Sequence, residues 1–129
     1  MLVAVYGSLR QGLYNHDNNI KDSTYKGIYQ TEPIYTMIDL SSYPGLMKNG
    51  TTSITMEVYE IDDITLNKLD ALEGYDINSS WGNFYEREII KTPWGEAYVY
   101  TYDDSSIDYI EVTSGDWKEH TIINQVANV

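Results

Sequence analysis

The sequence predicts an α+β fold in which a curled, mostly antiparallel sheet is flanked by one or two helices. Three observations lead there. Short runs rich in β-branched and aromatic residues recur up to about residue 102, turn residues separate them, and only one stretch before that point has clear helical spacing. At 129 residues the chain fits a single domain over 1–129, with a core over 1–119 and a tail over 120–129.

The elements follow in order. Leu2–Tyr6 reads as a buried strand that stops at Gly7, and Gly7-Ser8-Leu9-Arg10-Gln11-Gly12 reads as the loop after it. Ile34–Leu40 returns to strand composition, and Tyr43-Pro44-Gly45 is expected to break it. Asn49-Gly50 is the strongest hairpin signal, so Leu46–Lys48 and Thr51–Ile61 are expected to be its two arms. In the second arm Thr55, Glu57, Tyr59 and Ile61 share one face, opposite Ile54, Met56, Val58 and Glu60. Asp62–Glu73 is the clear helix. Asp62 or Asp63 can cap its start, Gly74 suits a left-handed end residue, and Leu66, Leu69 and Leu72 mark the stripe expected to be buried. Phe84–Thr92 and Glu96–Tyr102 read as strands joined by Pro93-Trp94-Gly95, and a terminal helix is expected from Trp117 onward.

Composition narrows the chemistry. Eight basic against 20 acidic residues give a formal charge of −12, which repels phosphate backbones and anionic lipid heads. Nucleic acid and membrane surfaces are therefore poor partners. The absence of cysteine excludes a disulfide framework, a thiolate nucleophile and any cysteine-bearing metal site. With 13 tyrosines and 3 tryptophans the chain carries enough apolar surface to fold without such staples. The opening apolar run ends at Gly7, far short of a signal peptide or a spanning helix, and the expected location is cytoplasmic.

One carboxylate stands apart from the many. Glu73 follows Leu69 by four residues, so it projects from or beside the apolar stripe in the last helical turn. Partial burial and the helix dipole both disfavour its ionisation and suit it to moving protons. The competing reading is an edge glutamate that snorkels to water. The Gly7–Gly12 loop offers successive amide N–H groups to an anion or a carbonyl oxygen, or is a plain turn. Its G-x-x-x-x-G spacing continues as Leu13-Tyr14 where a phosphate loop needs Lys-Ser/Thr. His16 and His120 have no metal-ligand spacing, and Arg10 and Arg87 read as ion-pair partners.

Taken together, these segments resemble the gamma-glutamylcyclotransferase-like family, most closely its gamma-glutamylamine cyclotransferase branch. Val5-Tyr6-Gly7-Ser8-Leu9-Arg10-Gln11-Gly12, continuing to Asn15-His16, is similar to the family's opening. Tyr43-Pro44-Gly45-Leu46, Glu57-Val58-Tyr59-Glu60-Ile61, Leu69-Asp70-Ala71-Leu72-Glu73-Gly74 and Phe84-Tyr85-Glu86-Arg87 resemble its later motifs in the same order. The resemblance implies a small mixed barrel with flanking helices and a cavity between the first loop and the helix end. It implies an enzyme that releases 5-oxoproline and a free amine from a small gamma-glutamyl substrate, without metal or organic cofactor. Glu73 would be general base and acid, and Tyr6, Gly7, Ser8 and Leu9 would hold the substrate's carboxylate or carbonyl. Tyr85 is expected to line the site with its polar tip. The alternative from another class is a catalytically silent binding module of the same fold.

Overall fold

The computed structural model describes residues 1–76, 78, 85–103 and 108–127, with side chains described as far as residue 122. The strands are β1 (Leu2–Val5), β2 (Thr24–Gln30), β3 (Tyr35–Asp39), β4 (Pro44–Thr52), β5 (Thr55–Glu60), β6 (Glu86–Thr92), β7 (Gly95–Thr101) and β8 (Ile110–Glu111). The helices are α1 (His16–Asn19), α2 (Asp63–Glu73) and α3 (Trp117–Ala127).

The first sheet has five strands in the order β2-β5-β1-β7-β6, and the second has three in the order β4-β3-β8. Among the described residues only the β1–β7 pairing is parallel. The α+β class and the mostly antiparallel sheet hold, but the sheets do not close into a barrel. Among the described residues β2 and β6 are both open edges, and the two sheets meet through single backbone bonds such as Tyr102 N–H to Leu46 O at 2.8 Å. Two apolar clusters fill the interior, one around Ile38, Tyr59, Leu69 and Tyr100, the other around Met37, Leu46, Met56 and Trp117.

Helix α2 forms as its sequence dictates. The Asp62 side chain accepts the Thr65 N–H at 2.8 Å, and Gly74 ends the helix at φ 67°. Leu66 and Leu69 are buried, whereas Leu72 is 43 % exposed, so the expected stripe is one residue shorter. Gly74 turns the chain away at that level, leaving Leu72 at the edge of a cavity.

The Asn49-Gly50 hairpin is not formed. Residues 44–52 are one strand along β3, with Thr36 facing Met47 and Tyr35 facing Thr52. Residues 48–51 bulge out of that register, and Asn49 O accepts the Thr36 hydroxyl at 2.6 Å. A Cβ on Gly50 would lie 2.3 Å from Tyr35 O, so its glycine serves close backbone approach rather than a two-residue turn. The expected break at 43–45 lies slightly earlier: Leu40 N–H reaches Tyr43 O at 3.0 Å, and Pro44 opens β4, where a missing donor is tolerated.

Candidate functional site

The loop that leaves β1 crosses in front of the end of α2, and a cavity of about 330 Å³ lies between them. All six residues singled out from sequence, Tyr6, Gly7, Ser8, Leu9, Glu73 and Tyr85, line it. Tyr14, Asn15, Tyr43, Pro44, Leu72 and Tyr100 contribute further wall.

Glu73 is the last residue of α2 and is half-buried. Burial alone pushes its pKa up from the usual carboxylate range to about 7. Among the described residues its carboxyl has neither an ion pair nor a hydrogen-bond partner, so its proton is free to move.

Gly7 is required for a reason the sequence could not give. A Cβ there would sit 2.6 Å from Pro44 Cδ, so the loop lies directly on the start of β4. Gly12, at φ 87°, supplies the left-handed turn. The loop's carbonyls are engaged locally: Gly7 O accepts Arg10 N–H at 3.0 Å, Ser8 O accepts Asn15 N–H at 3.1 Å, and Leu9 O accepts His16 Nδ1–H at 2.9 Å. Asn15 Nδ2 donates to Ser8 Oγ at 2.9 Å. Among the described residues the N–H groups of Gly7, Ser8 and Leu9 donate to none of these partners, and they are the donors left for a ligand.

The two tyrosines play a different part from simple donors. Tyr6 donates its hydroxyl to Tyr100 O at 2.6 Å, and Tyr85 donates to Pro44 O at 2.7 Å. Burial raises the pKa of Tyr6 well above the ordinary tyrosine value, with nearby Tyr85 and Glu73 adding to it. Burial and the Glu73 charge likewise raise that of Tyr85. Both stay neutral and brace the walls.

Arg10 and Arg87 are ion-pair partners, as their sequence context suggested. Arg10 pairs with Glu57 at 2.8 Å and Asp116 at 2.8 Å, and Arg87 with Asp70 at 2.5 Å. Neither lines the cavity, so among the described residues around it there is no lysine, arginine or histidine. Sequence reasoning did not pick out Tyr14, Tyr43 or Tyr100 as wall residues, since isolated tyrosines on strands or loops carry no local signal of a cavity.

A family model described as "Gamma-glutamyl cyclotransferase, AIG2-like" matches residues 3–119. The chain belongs to this family. A Vibrio cholerae relative that carries the gamma-glutamylcyclotransferase name provisionally is 40 % identical over 116 residues, covering 90 % of this chain and 94 % of its own. The gamma-L-glutamyl-butirosin B gamma-glutamyl cyclotransferase of Niallia circulans is 31 % identical over 125 residues, covering 92 % and 76 %. The solution structure of the Escherichia coli protein ytfP superposes with a TM-score of 0.71 at 32 % identity, covering 94 % and 99 %. Membership in the gamma-glutamyl cyclotransferase family supports a cyclotransferase activity on a small molecule. Among the described residues no helix is long and apolar enough to cross a membrane.

Proposed function

We propose that this protein is a gamma-glutamylamine cyclotransferase that cleaves its substrate by cyclisation, with Glu73 as general base and then general acid. One observation carries the reading: an unpaired, half-buried carboxyl and a loop with unused amide donors open into the same cavity.

The chemistry needs orientation more than force. The glutamyl α-nitrogen and the γ-carbonyl belong to one molecule, and a five-membered ring closes between them. Ionised Glu73 takes a proton from the α-ammonium. The freed amine attacks the γ-carbonyl carbon, giving a tetrahedral intermediate with an oxyanion. The bond to the leaving nitrogen then breaks as Glu73 returns a proton to it. Glu73 takes the second proton from the ring nitrogen and passes it to the departing amine or to water, and 5-oxoproline and a free amine depart. A carboxyl with a pKa of about 7 serves both steps near neutral pH. The Gly7–Leu9 amides meet the substrate's α-carboxylate or its developing oxyanion, the latter worth about 3–4 kcal/mol per well-aimed donor. Leu72 and the tyrosines keep the carboxyl partly dry. No step calls for a metal or organic cofactor.

The leaving group is assigned from charge. The cavity offers no cationic side chain among its described lining residues, and the chain carries −12 overall. A cationic amine portion, as in a gamma-glutamyl polyamine, or a zwitterionic one, as in a lysine isopeptide, approaches this field more readily than the anionic dipeptide portion of glutathione.

The test compares wild type with Glu73→Gln on gamma-glutamylputrescine, ε-(gamma-glutamyl)lysine and glutathione, with 5-oxoproline release as the readout. Wild type is expected to prefer gamma-glutamylputrescine, whose amine portion is cationic, and then zwitterionic ε-(gamma-glutamyl)lysine, over glutathione, and the variant to lose about 10²–10⁴-fold in rate. No 5-oxoproline from any substrate overturns the reading and leaves a silent binding module, whereas full turnover by the variant overturns the role of Glu73.

A further inference from the structure

We propose that Glu57 is a positioning residue for this cyclisation: through Arg10 and the Gln11 amide it fixes the orientation of the Gly7–Leu9 backbone. This role rests on the cyclotransferase reading of the cavity and deepens it.

Strand register puts Glu57 opposite Val5, beside the point where β1 gives way to the loop. Its Oε1 accepts the Gln11 N–H at 2.9 Å and the Tyr59 hydroxyl at 2.7 Å. Its Oε2 faces Arg10 Nε at 2.8 Å and Lys118 Nζ at 3.3 Å. Arg10 Nη1 in turn reaches Asp116 Oδ1 at 2.8 Å, an oxygen that also accepts the Glu119 N–H at 3.2 Å at the start of α3. The Arg10 and Glu57 side chains are each 4 % exposed. Burial opposes a carboxylate at Glu57, but the Gln11 amide, Arg10 and the Tyr59 hydroxyl outweigh it and hold its pKa below the usual value.

A buried ion pair is weak evidence for stability, because losing hydration offsets much of the attraction. Its effect here is directional. Arg10 donates its own N–H to Gly7 O, so the place of Arg10 sets the tilt of the peptide planes between residues 7 and 10. Arg10 is held by its side chain and Gln11 by its backbone, both on the one Glu57 carboxylate. Three amides must converge on a small anionic group, and a displacement of about 1 Å at such a site costs about 100-fold in rate. Asp116 and Lys118 close the network from the other side, so the first turn of α3 supports the loop although it lines no part of the cavity.

The experiment uses the full chain carrying Glu57→Gln or Asp116→Asn. Steady-state 5-oxoproline release is measured well below each variant's Tm, across pH, together with calorimetric binding of 5-oxoproline. Glu57→Gln is expected to lose about 100-fold in kcat/KM and to bind 5-oxoproline more weakly, with the midpoint of the pH profile unmoved because Glu73 keeps its surroundings. Asp116→Asn is expected to lose about tenfold by loosening Arg10 alone. A purely structural role predicts a lower Tm with kcat and KM of the folded protein unchanged. That result, or a loss accompanied by a displaced pH midpoint, overturns the proposal. Should Glu57→Gln not fold, Asp116→Asn decides alone, since it leaves the buried carboxylate in place. An inactive wild type overturns the cyclotransferase reading and this role with it, whereas an active wild type with unaffected variants removes only the role of Glu57.

Discussion

Replacing Glu73 with glutamine is expected to stabilise the protein above neutral pH while lowering turnover by about 10²–10⁴-fold. The folded carboxyl titrates at about 7 against an ordinary glutamate value of 4.5, so the folded state holds an extra proton between those pH values. More protons bound in the folded state means that stability falls as pH rises through the window. Below pH 4.5 both states are protonated and Glu73 carries no penalty; above pH 7 the folded protein holds a poorly hydrated carboxylate. The difference amounts to about 3 kcal/mol at full ionisation, less whatever water at the cavity mouth recovers. Glutamine has nearly the same shape and never ionises. Urea denaturation of wild type and Glu73→Gln from pH 4.5 to 8.5 should give curves that nearly meet at the acid end. They should separate through the window, with the variant ahead by up to about 3 kcal/mol, and run parallel above pH 8. On the proposed mechanism the same group governs activity, so wild-type kcat/KM should rise with pH through about 7 as the base form appears. A stability difference that stays flat with pH, or one that grows towards acid, refutes desolvation as the cause.

Two further outcomes are expected. Gly7→Ala drives a Cβ to 2.6 Å from Pro44 Cδ and should cost about 1–3 kcal/mol in urea denaturation, with weaker binding of 5-oxoproline because the loop is displaced. Asp70→Asn weakens the pair with Arg87 and the bond from the Tyr100 hydroxyl at 2.7 Å, one turn before Glu73. It should lower stability by about 1.5–3 kcal/mol by the same assay, and unchanged denaturation would show that Arg87 is held by the faces of Tyr75 and Tyr98 instead.

The parts of the fold legible in the sequence are those with local causes. Helix α2 carries its own cap at Asp62, its own end at Gly74 and a spacing that buries Leu66 and Leu69. Strand β1 is a compact apolar run closed by a glycine loop. The Asn49-Gly50 signal misled because it is equally local, whereas the outcome depended on β3 lying alongside and accepting a bulge. Strand β2 went unread since, as a sheet edge, its exposed side keeps Tyr25 and Lys26 near water and hides its alternation. Barrel closure could not be read from local pattern at all, because it depends on which edges pair. The site divides in the same way. The wheel position of Glu73 points to its partial burial, but the contact of Gly7 with Pro44 and the Arg10–Glu57 pair, 47 residues apart, exist only in the folded chain.

The charge arrangement around the cavity connects these findings. An acidic protein meant to bind a substrate carboxylate would be expected to place an arginine beside it, and Arg10 lies in the right loop. Its charge is instead neutralised by Glu57 and Asp116, out of reach of the cavity lining. A cation there would also lower the pKa of Glu73 by favouring its ionised form, and so weaken the returning-acid role proposed for it. Neutral amide dipoles avoid that effect: they are short-ranged, fixed in direction and stabilise an anion only where they converge. On the proposed mechanism the arrangement therefore keeps Glu73 at a pKa of about 7 while still receiving a substrate carboxylate. It transfers the burden of recognition from charge to geometry, which is why a residue that never touches the substrate, Glu57, is expected to govern kcat/KM.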